Sequence, residues 1–190
     1  MLPATEYIAA AILAVGIAPF IQSPGQSPHG FALQQFSDQI AAYMAVRQNV
    51  AQTVPPPTTS GNASDIVAMQ MIWANAIRKA RPHAKAGDIF NYAVGVEFRR
   101  RIQDVLAQHG VSEGGLAADL QREFPQTPPV LTVNDTFDWR FGAMMPTAVI
   151  QVLPEVPWPL QYRFVGRDLV LLDLDAGLLV DILPDALTAP

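Results

Sequence analysis

The stretch Leu160–Leu183, which reads LQYRFVGRDLVLLDLDAGLLVDIL, decides the fold of this chain. It contains three apolar runs separated by Gly166-Arg167 and by Asp175-Ala176-Gly177, both of which are typical of tight turns between antiparallel strands. The sequence therefore predicts a three-stranded β-meander, with Gly177 in the left-handed conformation of a three-residue hairpin loop. So small a sheet needs other elements packed against it to be stable.

Helices are predicted upstream of the meander, where apolar residues recur every three or four positions. We expect a first helix from about Phe31 to Thr53, in which Arg47 occupies one position of the apolar stripe. A second helix is expected to start near Ser64, as its N-cap, and to stop at Pro82.

Two further helices are predicted before residue 129, where the sequence pattern changes from helical to mixed or β. The third is expected to begin with Asp88 as its N-cap and to end at Gly110, and a short fourth one to follow the cap residue Ser112. The stretch from Pro146 to Leu153 is predicted to form one or two helical turns.

This order of elements predicts an α+β fold, with three to four N-terminal helices packed on a small C-terminal antiparallel β-meander. We expect a single α+β domain over residues 26–190, helical over 31–124 and mixed or β over 129–187. The helical hairpin of residues 31–81 is predicted to cover one face of the sheet.

Composition narrows the classes of function. The chain has 190 residues, 50% hydrophobic and 15% charged, which indicates a folded domain with a sizeable core. It has no cysteine, which excludes disulfides, thiolate nucleophiles and cysteine-based metal sites. The net charge is −5, so nucleic acid is not an expected partner, although residues 47–101 carry +5 against −8 in residues 102–190.

The segment Tyr7–Ile21 is fifteen residues long and carries no charge. It is shorter than the ~20 residues that a transmembrane helix needs, and it suits the apolar region of a secretory signal. We interpret residues 1–25 as a signal peptide or an N-terminal hydrophobic anchor, with a polar linker over residues 22–30. A buried N-terminal helix of the domain is the alternative. The expected location is periplasmic or secreted, or the inner membrane if residues 7–21 are retained.

Two motifs carry a resemblance to known proteins. One is ARPHAKAGDIF at residues 80–90, and the other is YRFVGRDLVL at residues 162–171, continuing to LVDILPDAL at residues 179–187. Together with the helix at 31–53, they resemble a group of exported bacterial proteins that has no assigned activity. The resemblance covers most of the chain after residue 30. It implies a signal-bearing extracytoplasmic protein, and no catalytic residue carries over from it.

The loop Arg78–Asp88 holds the candidate binding site. Basic residues precede a predicted helix N-terminus, where backbone N–H groups favour anions. We therefore predict a site for a small anionic ligand formed by Arg81, His83, Lys85 and Asp88. The alternative is a solvated connection in which Asp88 only starts the helix.

Two other motifs lack the surroundings that their chemistry requires. Gly110–Gly114 (GVSEG) has the spacing of a hydrolase nucleophile elbow, but a predicted helix precedes it and all three histidines come earlier in the chain. Asp173–Gly177 suggests a calcium loop, yet Leu178 and Pro184 stand where an EF-hand needs glycine and glutamate. We interpret the first as a junction between helices and the second as a hairpin loop.

The remaining polar residues carry weaker predictions. Asp135, Asp138 and Glu155 could supply a pair of carboxylates, although nothing in their spacing fixes a separation. His29 is placed in the linker, and Arg99–Arg101 is interpreted as a solvated helix face with an i,i+4 pair from Glu97.

We therefore interpret the chain as a non-catalytic binding or assembly module outside the cytoplasm, and assign it no catalytic residue, metal site or cofactor. The expected partner is an unidentified protein or a small anionic ligand, and a membrane only if residues 7–21 are retained. A small hydrolase-like enzyme and a membrane-anchored accessory subunit are the alternatives. An exposed apolar patch or an open sheet edge would favour the binding module, whereas a pocket with perturbed carboxylates would favour the enzyme.

Overall fold

The computed structural model describes residues 27–57, 61–124, 127 and 129–188. Within them five α-helices precede a three-stranded antiparallel sheet, which confirms the α+β fold. The helices are α1 Pro28–Ala51, α2 Ala63–Ala80, α3 Tyr92–Gln108, α4 Glu113–Glu123 and α5 Thr147–Val152. The strands are β1 Leu160–Val165, β2 Asp168–Asp173 and β3 Leu178–Leu183.

The leader predicted over residues 1–25 lies outside the described residues. In the described part of the chain, no helix combines the length and the hydropathy needed to span a membrane.

The sheet has the order β1-β2-β3, as the meander predicts. Gly166 and Gly177 have φ angles of 59° and 57°, so the two glycines take the left-handed conformation at the two turns. Tyr162 of β1 lies opposite Leu171 of β2.

A β-bulge interrupts the pairing of β2 with β3. Leu171 pairs with Asp181 and Leu172 pairs with Leu179, so Val180 is one extra residue in β3. The bulge turns Val180 and Asp181 toward the same side of the sheet. Val180 joins the core under the helices there, and the Asp181 carboxylate meets the loop before α3.

Both faces of the sheet are covered, and this explains why every residue of β3 is buried. On the helix side, Phe36 of α1, Ile77 of α2 and Phe98 of α3 belong to the same core as Phe164 of β1. The predicted cover by residues 31–81 is therefore correct but incomplete, because α3 and α5 also contribute. On the outer side, the irregular segment 131–141 covers the sheet with buried Val133 and Phe137.

Three predicted helix boundaries are wrong. Helix α1 begins at Pro28 after the N-cap Ser27, so His29 lies in a helix and not in a linker. Asn62 caps α2 in place of Ser64. Asn91 caps α3 in place of Asp88, since the loop before α3 folds around Asp181 before the helix can start.

Candidate functional site

The loop predicted to bind an anion binds one that belongs to its own chain. The Asp181 carboxylate accepts hydrogen bonds from the backbone N–H groups of Gly87 at 2.8 Å and of Ile89 and Phe90 at 2.6 Å each. Burial raises the pKa of Asp181, while these N–H bonds and that of Ile182 act in the opposite direction. The backbone donors of this loop thus serve to dock α3 onto β3.

The four predicted site residues are only partly brought together. Arg81 and Asp88 line one pocket of about 370 Å³, whereas His83 and Lys85 are exposed and lie outside its lining. The rest of the lining comes from the loop and from one side of α1, namely Gln39, Ala42, Tyr43, Val46 and Ile89.

The guanidinium of Arg81 lies over the ring of Tyr43, 4.9 Å from its centroid. Its Nη2 donates a long hydrogen bond of 3.4 Å to the carbonyl of Val180, and its Nη1 is buried without a partner among the described residues. Asp88 accepts a hydrogen bond of 3.0 Å from the backbone N–H of Lys85. Among the described residues, no ion pair joins Arg81 to Asp88, although they share the pocket.

The aspartates that suggested a calcium loop are bound to an arginine. Arg47 donates from Nε to Asp173 at 2.5 Å and from Nη2 to Asp175 at 2.7 Å. Tyr43 also donates to Asp173, at 2.7 Å. The described residues include no cluster of three His, Cys, Asp or Glu side chains placed to hold a metal ion.

Burial dominates the ionisation of this group. It raises the pKa of Asp173 despite the opposing charge of Arg47, and it raises the pKa of Tyr43 well above its usual value. The one sequence signal for the network was Arg47, a charged residue on an otherwise apolar helix stripe. Because Asp173 is wholly enclosed, its role is to join α1 to the sheet.

The arginine run of α3 is also bound internally. Glu97, 3% exposed, accepts from Arg101 at 2.7 Å, which confirms the predicted pair, and also from Arg100 and His29. Arg101 donates further to the carbonyl of Val152, and Arg99 to that of Pro184. The prediction of a solvated face is correct for Arg100, which is exposed and bonds within α3. It is wrong for Arg99 and Arg101, which are half-buried and connect α3 to the end of β3 and to α5.

The hydrolase-like motif is a helix junction, as interpreted. Ser112 caps α4 by accepting the backbone N–H of Gly115 at 2.9 Å, and Gly110 takes the left-handed conformation with φ of 69°.

The three candidate carboxylates fall into two places. Asp135 and Asp138 line a pocket of about 250 Å³ beside the outer cover of the sheet, and Glu155 lines a different one. Hydrogen bonds from Arg140 lower the pKa of Asp138. An ion-paired carboxylate of this kind is not poised as a general acid at neutral pH.

The edge of the meander is a place for a partner strand that the sequence already predicts, but the groove beside the outer edge of β1 was not foreseen. The N–H of Ala143 donates to the carbonyl of Phe164 at 2.8 Å, after which the chain turns away into α5. Where it leaves the edge, a pocket of about 260 Å³ opens. Its lining consists of Met145, Ile150, Pro154, Glu155, Val156, Leu160, Gln161, Tyr162 and Arg163.

The backbone of Tyr162 faces this groove. In an antiparallel ladder, alternate residues direct their N–H and C=O groups to opposite sides, and Tyr162 shares the outward direction of Phe164. Among the described residues, Ala143 alone bonds to this outer edge between Gln161 and Val165.

One exposed apolar side chain lines the groove, and two others lie close to its lining residues in the chain. Ile150, 52% exposed, is part of its lining. Met144, 73% exposed, directly precedes the lining residue Met145 in the chain. Trp158, 72% exposed, lies two residues from the lining residues Val156 and Leu160. Exposed apolar side chains that form a contiguous patch mark interaction sites more often than single ones do.

Comparison with protein-family models, with curated proteins and with solved structures found no match for this chain.

Proposed function

We propose that this chain is a non-catalytic binding and assembly module that works outside the cytoplasm and takes up an extended, apolar segment of a partner protein along β1. The observation that carries the proposal is the groove between the outer edge of β1 and α5, in whose lining Ile150 is 52% exposed.

A partner strand would extend the sheet at this edge. A sheet edge with unused N–H and C=O groups is a template for an added strand, and main-chain hydrogen bonds supply much of the affinity. The outward groups of Tyr162 offer such bonds, because Ala143 occupies the edge only at Phe164.

The groove also selects the side chains of the partner. Ile150, Val156 and Leu160 form an apolar lining that suits a branched aliphatic residue, while Glu155 and Arg163 stand at the same pocket. One acidic and one basic lining residue favour a segment that carries charges of both signs on either side of its apolar residue.

The extracytoplasmic location rests on the sequence. The uncharged segment Tyr7–Ile21 suits a secretory signal, and the resemblance to exported bacterial proteins points the same way. The mass of the protein isolated from its own host tests this. Loss of about the first 25 residues supports export, and a full-length protein contradicts a cleaved signal.

The binding proposal is tested with two synthetic peptides. Acetyl-Lys-Thr-Val-Thr-Val-Thr-Glu-amide can add as a strand, and the same peptide with its central threonine replaced by proline loses an N–H donor. We expect the first peptide to shift the amide resonances of residues 160–164 and to slow exchange of the Tyr162 N–H. The proline peptide should bind at least about tenfold more weakly.

A matched pair of variants locates the site. Ile150→Glu places a charge in the groove, and Ile66→Glu makes the same change on α2, where the side chain is also exposed. Ile150→Glu should abolish the shifts, and Ile66→Glu should leave them unchanged. Equal binding by both variants, or no shift at residues 160–164 with millimolar peptide, contradicts the proposal.

A further inference from the structure

We propose that the pocket lined by Tyr43, Arg81 and Asp88 binds a small zwitterion of the α-amino-acid type, with its carboxylate on Arg81 and its ammonium group on Asp88. This site lies between α1 and the loop before α3, and it does not depend on the groove at β1.

Arg81 has unused hydrogen-bonding capacity. A guanidinium has five N–H donors, yet the side chain of Arg81 makes one long bond, to the carbonyl of Val180, and its Nη1 has no acceptor among the described residues. Stacking on Tyr43 holds the guanidinium in place before any ligand arrives. A carboxylate is the ligand group that a guanidinium binds most strongly.

Asp88 supplies the opposite charge at the same pocket. It is half-buried, and its known contact is the backbone N–H of Lys85 on Oδ2. No lysine, arginine or histidine of the described residues forms an ion pair with it. A ligand ammonium group can therefore bind to Asp88 without displacing a cation of the protein.

The arrangement of the charges favours a zwitterion over a simple anion. A ligand that carries only a carboxylate would form an ion pair with Arg81 but would be repelled by the negative charge of Asp88. A ligand with both groups meets an opposite charge at each end. Ala42, Val46 and Ile89 give the pocket an apolar part, and about 370 Å³ falls within the usual size of small-molecule sites.

The test compares a zwitterion with its two halves by titration calorimetry of the purified chain. The probes are L-leucine, 4-methylpentanoate, which lacks the ammonium group, and isoamylamine, which lacks the carboxylate. Glycine is the fourth probe and tests the charges without a side chain. We expect L-leucine or glycine to bind at least about tenfold more tightly than either half-molecule.

Three variants assign the contacts. Asp88→Asn keeps the shape and should reduce the affinity for the zwitterion about tenfold, to that of 4-methylpentanoate. Arg81→Gln should abolish binding, with thermal unfolding recorded because this change also removes the bond to Val180. Lys79→Gln changes an exposed charge outside the pocket and should leave the affinity unchanged.

Three results would overturn the proposal. The first is no heat of binding from L-leucine and glycine at millimolar concentration. The second is equal affinity for 4-methylpentanoate and the amino acids, which would indicate a plain anion site. The third is an affinity for the amino acids that Asp88→Asn does not change.

Discussion

Arg47 of α1 and Asp173 of β2 are 126 positions apart in the chain and meet with 2.5 Å between Nε and Oδ2. Asp173 is wholly buried, and Arg47 is nearly so, with its guanidinium over the ring of Trp73. The pair therefore ties the first helix and the second helix to the middle strand of the sheet.

Removing one partner of this pair leaves the other charge buried. We expect Arg47→Met to lower the free energy of unfolding by about 3 to 5 kcal/mol, and Arg47→Met with Asp173→Asn to recover more than half of the loss. Urea denaturation measures both. Arg122→Met is the control, since it breaks an exposed pair with Asp119 and should cost less than about 1 kcal/mol. A single variant as stable as the wild type would contradict this account.

Asp181 organises the loop before α3. Asp181→Asn replaces one carboxylate oxygen by an NH₂ group. That group then faces backbone N–H donors that have no other acceptor among the described residues. We expect a loss of about 2 to 3 kcal/mol and faster hydrogen exchange at the amides of Gly87, Ile89 and Phe90. The same substitution at the exposed Asp185 should have little effect. Unchanged exchange at these three amides would show that Asp181 does not hold the loop.

Glu97 makes the free energy of unfolding depend on pH in the acid range. Hydrogen bonds from Arg100, and then from Arg101 and His29, lower the pKa of Glu97 from 4.5 to about 2. A lowered pKa means that the folded state keeps this carboxylate charged at a pH where the unfolded chain protonates it. Its contribution is therefore complete above pH 4.5 and is lost as pH falls toward 2.

The free energy of unfolding, measured between pH 7 and pH 2, checks this. Glu97→Gln should be less stable than the wild type at pH 7, and the difference should shrink as the pH falls through the acid range. Glu123→Gln changes an exposed carboxylate and should follow the wild-type curve. A Glu97→Gln deficit that stays constant with pH would rule out the titration of Glu97 as its cause.

The cover on the outer side of the sheet requires a glycine at position 142. A Cβ atom there would lie 2.7 Å from Cζ of Phe137, a buried ring that packs edge-to-face on Trp139. We expect Gly142→Ala to cost about 1 to 3 kcal/mol by overpacking. Gly61→Ala is the matched control, because nothing lies within 4 Å of its added Cβ. Equal stability of the two variants would contradict the tight packing of Phe137.

The meander was predictable because its signals are local. Gly166 and Gly177 mark turns that need positive φ, and the apolar runs beside them are long enough for strands. The caps Ser112 and Gly110 were found for the same reason. The start of α3 was missed because Asp88 is a good N-cap in isolation, and a carboxylate from β3 changed the path of the loop.

The candidate site was only partly visible in the sequence. The basic loop pointed to Arg81 and Asp88, but nothing in the loop places Tyr43 beside them. No pattern in the sequence indicated the groove at β1, because the groove is the space left where the chain departs from the sheet edge after Ala143.

The sequence by itself determined the elements: helices first, a β-meander last, the turns between the strands, and the junction of α3 with α4 at Gly110 and Ser112. Each depends on residues within a few positions of one another, so composition and spacing are sufficient. The tertiary structure decided where the charges meet. Asp181 faces the α3 loop because the extra residue Val180 shifts the register of β3, and Arg47 reaches Asp173 because α1 packs across the sheet. A buried charge is stable only beside its partner, and that partner is chosen by packing over long distances in the chain.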